Sequence, residues 1–139
     1  MSHLAKGAPP RKPENDRTGR HAFKDATGTI IGCCVEVHKQ LGPSFREIVY
    51  QRALAMELEA AGLSYERDVW IFVAYKGREV GKQRVDFIIE DILVEIKAQS
   101  ELEPVAFVQT LSYLKASGCK VGLLVSFGAP KIEVKRLVN

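Results

Sequence analysis

Between Arg84 and Lys97, two apolar runs rich in β-branched and aromatic residues, each with charged residues at its outer end, meet at the polar pair Glu90-Asp91. Strands send successive side chains to opposite faces, so two such runs joined at a polar pair predict a β-hairpin, although Glu-Asp is a poorer turn former than Asn-Gly. With Glu90 and Asp91 as the loop, Ile89 pairs with Ile92, Phe87 with Val94, Val85 with Ile96, and Asp86 falls opposite Glu95. Val85, Phe87, Ile89, Ile92, Val94 and Ile96 then form a uniformly apolar set, and Lys97 shares the face of Asp86 and Glu95.

The period changes on either side of this hairpin. Ile30, Ile31, Cys34, Val35, Val37 and Leu41 recur at helical spacing from about Thr27 and stop at Gly42-Pro43. Ser44-Phe45-Arg46-Glu47 matches the S-x-x-E capping box and predicts a second helix from Ser44 to about Ala61, ended by Gly62. Glu47, Tyr50, Leu54, Leu58 and Ala61 lie on one stripe of it. Glu47 therefore reads either as a capping carboxylate or as the end of the face that meets a sheet. Ser64 to Tyr75 is rich in β-branched and aromatic residues and predicts a first long strand, with a turn at Lys76-Gly77-Arg78-Glu79. Beyond the hairpin, Pro104 suits the first turn of a helix that closes at Gly118. Lys120–Phe127 then reads as a buried strand and Lys131–Val138 as a short edge strand. The predicted order is α, α, β, β, β, α, β, β, without an internal repeat: an α+β (α/β) chain with a mixed central sheet flanked by helices.

Composition narrows the class. The 139 residues fit one domain, are 46% hydrophobic and 27% charged, and contain no apolar run as long as a membrane span. Met1 to Arg20 lacks the apolar core of a secretory signal, so a cytoplasmic protein without a membrane partner is expected. Residues 1–24, with Pro9, Pro10 and Pro13 and few large apolar side chains, have the composition of a disordered basic arm, leaving residues 25–139 as the domain. Lys6, Arg11, Lys12, Arg17, Arg20 and Lys24, against Glu14, Asp16 and Asp25, account for the whole net charge of +3. Such a balance permits nucleic-acid binding without demanding it. Cys33, Cys34 and Cys119 suggest neither a disulfide framework nor a C-x-x-C site, and read as small buried residues.

The chemistry concentrates on Asp86, Glu95 and Lys97. Carboxylates facing each other across a strand pair repel. A divalent cation between them removes the repulsion, and a lysine two residues on can hold a water or a phosphate oxygen. On the helices, Gln109 and Tyr113 stand four apart and share a face, and His38 rides on the first helix, where a lone His is ordinarily a packed or surface residue. Glu-x-Lys by itself is common on exposed strands.

Asp86 followed by Glu95-Ile96-Lys97 resembles the motif of the PD-(D/E)xK nucleases. Further stretches, in order, resemble the GxxExxY proteins, small bacterial and archaeal members of that superfamily: Glu36-Val37-His38-Lys39-Gln40-Leu41-Gly42-Pro43, Glu47-Ile48-Val49-Tyr50, Tyr75-Lys76-Gly77, Gln109, Ser112-Tyr113-Leu114-Lys115, Gly122-Leu123-Leu124 and Phe127-Gly128. The likeness covers roughly residues 28–139. Ser44 stands where the first glycine of the family's name would fall. The resemblance implies a restriction-endonuclease-like core and a Mg²⁺-dependent nuclease, with Mn²⁺ as a substitute ion, acting on DNA in repair or defence. It implies that Asp86, Glu95 and the Ile96 carbonyl bind the metal, that Glu47 adds a metal or water contact, and that Lys97 orients the attacking water. Gln109, Tyr113 and His38 would support them or contact substrate. Oxygen ligands suit such a hard ion. The competing expectation is a nucleic-acid-binding or assembly module that keeps the fold without turnover. The lack of a separate clamping domain favours that module or a homo-oligomer.

Overall fold

The computed structural model describes the backbone of residues 20–139 and the side chains from Ala26 onward. Residues 1–19 of the expected arm lie outside the described residues, while residues 20–24 begin a helix. Helix α1 spans Arg20–Leu41 and α2 spans Glu47–Ala60. Strands β1 (Tyr65–Tyr75), β2 (Arg78–Ile89) and β3 (Ile92–Lys97) follow, then α3 (Pro104–Ser117), β4 (Val121–Ser126) and β5 (Glu133–Val138). The strands form one sheet in the order β1-β2-β3-β4-β5; β3 and β4 run parallel and the other neighbours antiparallel. This matches the element order and mixed sheet expected from the sequence, with β5 at an edge.

Two apolar layers hold the helices to the sheet. On one face Phe87, Ile89, Ile92, Val94, Ile96, Leu123, Val125 and Phe127 pack against Ile30, Cys34 and Val37 of α1 and Tyr50, Leu54 and Leu58 of α2. Tyr50, Leu54 and Leu58 are wholly buried, and burial of each such side chain contributes about 1.5–3 kcal/mol. On the other face Val85, Ile88 and Leu93 meet Leu114 of α3. Gly122 permits that approach, since a Cβ there would lie 3.3 Å from Leu114 Cδ1 and 3.4 Å from the Leu93 carbonyl. The cysteines are free, with Cys33 and Cys34 buried and Cys119 partly so.

Helix α1 begins before the expected Thr27, and α2 begins at Glu47 rather than Ser44. Arg46 is the extended N-cap residue and makes no side-chain capping bond, so the capping box does not form. Tyr50 supplies the reason. Its hydroxyl donates to the Gly42 carbonyl and accepts the Phe45 N–H at 3.1 Å, drawing Gly42–Arg46 into a loop tied to the first turn of α2.

The Glu90-Asp91 hairpin forms despite its weak turn chemistry, with both residues at positive φ (49° and 69°). Ser64 compensates: its carbonyl accepts the Glu90 N–H at 3.0 Å and its N–H donates to the Glu90 carboxylate at 2.8 Å. The β2–β3 ladder contains Ile89↔Ile92, Ile88↔Leu93 and Phe87↔Val94 and goes no further. The expected Val85–Ile96 and Asp86–Glu95 pairs are absent from it. β3 remains paired along its whole length with β4, from Ile92↔Val121 to Lys97↔Ser126.

Candidate active site

Where that ladder ends, side-chain carboxylates take over from backbone carbonyls. The Asp86 carboxylate accepts the Ile96 N–H at 2.7 Å, and the Glu95 carboxylate accepts the Asp86 N–H at 3.1 Å. These reciprocal bonds satisfy backbone donors that the lost strand pairing would otherwise strand. They also draw two acidic groups together between β2 and β3. Glu95 is 6% exposed and Asp86 half-buried. Burial pushes the Glu95 carboxyl up to about 8, with the Asp86 charge as the next cause. Asp86 is likewise raised, first by burial and then by Glu47, against the lowering influence of the Ile96 N–H.

The same electrostatics identify the neighbours. Glu47, half-buried at the start of α2, raises both carboxyls, and Lys97, two residues beyond Glu95, lowers both. Tyr113 of α3 is raised by burial and then by Glu95 and Asp86, so this helix also borders the site. Gln109 stands exposed one turn before Tyr113. His38 is engaged elsewhere, its Nε2 2.9 Å from the Ala129 carbonyl and its ring beside Phe127. Ile96 is fully buried, and its N–H is the group that holds Asp86.

The site's flanks are fixed from β4. The Phe127 ring stacks on Tyr50 at 4.6 Å, linking the end of β4 to the turn that carries Glu47. Phe127 N–H donates to the Lys97 carbonyl at 2.9 Å. The Ser126 hydroxyl accepts from Gln99 N–H and donates to the Gln99 carbonyl, at 3.1 and 2.7 Å. Gly128 lies so near the backbone of Ala98 and Gln99 that a Cβ would come within 2.5 Å of Gln99. The chain leaving Lys97 is thereby clamped on both sides.

Asp68 was missed by sequence reasoning. It falls opposite Asp86, where the β1–β2 ladder passes from Arg67↔Phe87 to Val69↔Val85, and it adopts φ 53° and raises Asp86. An Asp inside a strand-like run was the available signal, since Asp is depleted in strands and tolerates the left-handed region.

Among the described residues no three His, Cys, Asp or Glu side chains form a ready-made metal cage. Mg²⁺ needs none, because it retains waters and binds through one or two carboxylates together with substrate phosphates. Asp86 and Glu95, buried together, form a donor set of the right charge and hardness.

No curated protein sequence matches the chain. The crystal structure of SSO0001 is similar in fold, with a TM-score of 0.51 and 20% identity over 66% of this chain and 49% of that one; the match spans about half of that protein's length. The mixed sheet with its flanking helices is consistent with a restriction-endonuclease-like fold. A family model for the PD-(D/E)XK nuclease superfamily matches residues 24–137, nearly all of the described chain, and the chain therefore belongs to that superfamily.

Proposed function

We propose that this chain is a divalent-metal-dependent nuclease of the GxxExxY group that hydrolyses phosphodiester bonds in DNA, in a repair or defence role. The observation that carries the reading is the pair Asp86 and Glu95, drawn together where the β2–β3 ladder ends, in a chain of a nuclease superfamily. Placing two acidic groups in so little water is costly, and the cost is recovered when a cation joins them.

Asp86 and Glu95, with the Ile96 carbonyl, would hold Mg²⁺ or Mn²⁺, and Glu47 would contribute a further contact. Bound there, the ion would supply Lewis-acid stabilisation of charge on the phosphoryl group and acidify water. Lys97 orients the attacking water and offsets charge developing on the non-bridging oxygens. Glu47 accepts a hydrogen bond from that water. Tyr113 and Gln109 donate to a phosphate oxygen from the α3 side. His38 acts at a distance, anchoring the loop after β4 through Ala129.

The test is degradation of a panel of single- and double-stranded DNA and RNA by wild type and Asp86→Ala, purified side by side, with Mg²⁺, Mn²⁺ or EDTA. Metal-dependent cleavage of DNA lost in Asp86→Ala supports the reading. Equal cleavage by both proteins removes it, and binding without cleavage under any metal leaves a nucleic-acid-binding module.

A further inference from the structure

The β1–β2 ribbon extends past the helical cover, and every residue from Phe72 to Val80 is exposed. Exposed aromatic and aliphatic side chains in a strand pair are costly and favour edge-to-edge association unless something uses them. Trp70 is 46% exposed, Phe72 54% and Tyr75 63%. The charge is equally uneven. Residues 26–139 balance acid and base, yet Lys76, Arg78, Lys82 and Arg84 face a single acidic residue, Glu79, between positions 70 and 84.

Register puts these two properties on one face. Trp70 pairs with Arg84 and Phe72 with Lys82, so all four side chains project together. Val69 pairs with Val85, and Ile71 with Gln83, on the opposite face, where Val69, Ile71 and Val85 pack on the α3 side. The aromatic–cationic face is therefore turned away from α3. Lys82 Nζ sits 4.6 Å and Arg84 Cζ 5.2 Å from the Trp70 ring centroid. Cation–π attraction holds both charges in place and reduces the entropy they would lose on meeting an anion. Phe72 remains open beside them.

We propose that this face of the ribbon docks single-stranded DNA: Lys82 and Arg84, held over Trp70, bind neighbouring phosphates, and Phe72 stacks an unpaired base. The proposal rests on the nuclease reading for its choice of DNA. Sequence-tolerant single-strand binding combines a cationic track with aromatic platforms. A duplex keeps its bases stacked internally and would leave Phe72 facing water. A second copy of the chain, docked isologously, would set one cationic ribbon against another.

The test uses the full chain in EDTA, which stops hydrolysis, with oligothymidylate of about 15 nucleotides, at the upper end of single-domain site sizes. The chain has one tryptophan, so quenching of Trp70 reports contact directly, beside fluorescence anisotropy. Lys82→Ala/Arg84→Ala should weaken binding at least about ten-fold at low salt and lower the slope of log K against log salt by about 1.4, two phosphates' worth. Phe72→Ala should cost about five-fold or more with an unchanged slope. These side chains are exposed, and circular dichroism checks that the variants fold. Wild-type affinity in both variants, or no binding by wild type, overturns the proposal. So does equal or tighter binding of the duplex, or of oligouridylate, or a dimer that the variants dissociate without changing DNA affinity. Cleavage with a dispensable ribbon sinks the ribbon alone, whereas ribbon-dependent binding without metal-dependent cleavage sinks the proposed reaction alone.

Discussion

Glu95 carries the most consequential side chain, because its burial has a cost that depends on pH. Its folded value of about 8 lies above the ordinary 4.5. Between those limits the native state keeps a proton that the unfolded chain has released, so stability falls as pH rises through the window. In EDTA the midpoint of urea unfolding should therefore drop from pH 5 to pH 8, with a slope on the order of 1 kcal/mol per pH unit. Glu95→Gln, which titrates nowhere in this range, should flatten that dependence; an equal slope in the variant would assign it to another group. Lys97 acts in the opposite sense. Its charge lowers both carboxyls, yet its proposed task is on the water and the phosphoryl oxygens. Lys97→Ala should keep the fold and much of the metal affinity while losing on the order of 10²- to 10³-fold in cleavage rate. Asp86→Ala should lose metal and activity together. Parallel loss of metal binding in both variants would show that Lys97 helps hold the ion instead.

The site depends on how elements end. β3 stays with β4 while β2 departs after Phe87, and Asp86 and Glu95 fill the opening with side-chain hydrogen bonds. Gly128 matters here because the chain beyond β4 crosses the backbone that follows Lys97. Gly128→Ala would drive a Cβ into Gln99, where only backbone can yield. It should destabilise the fold by about 1–3 kcal/mol, the usual range for forced overpacking, and lower cleavage beyond that by shifting Lys97. Chemical denaturation with a rate assay under fully folded conditions separates the effects; an unaltered rate would mean that the clamp does not position Lys97. Much of this level could be read from local pattern. The hairpin and most of its apolar face follow from alternation, Val85 being the exception that packs across the sheet with Ile88 and Leu93, and Gly42, Gly62, Pro104 and Gly118 mark helix boundaries because turn chemistry is local. The misread features are those decided at a distance. Ser44 has the form of a cap, but Tyr50 claims the backbone around it. Asp86 and Glu95 have the spacing of a directly facing pair, but the parallel partner of β3 lies beyond Gly118, outside any hairpin rule. Asp68 takes its place opposite Asp86 from the β1–β2 register, which local pattern does not specify.

At the scale of the whole molecule, the cationic ribbon and the acidic cleft are complementary parts of a chain that is neutral overall beyond residue 25. The ribbon is repelled by free divalent ions, and the cleft, without one, repels a phosphate. On the proposed reading the ion converts the cleft from a barrier into an attractor, and it does so only in the folded chain, since unfolding separates Asp86 from Glu95. Binding confined to the native state stabilises by mass action, about 2.7 kcal/mol at a concentration one hundred times the dissociation constant. Mg²⁺ or Mn²⁺ should accordingly raise the melting temperature of wild type by several degrees. The increment should grow from pH 6 to pH 8, because protons held by the raised carboxyls compete with the ion at the lower pH. Asp86→Asn should abolish the gain and its pH dependence while remaining folded. A shift of the same size in Asp86→Asn and wild type would put the ion at another site and leave Asp86 and Glu95 as a structural pair closing the gap between β2 and β3.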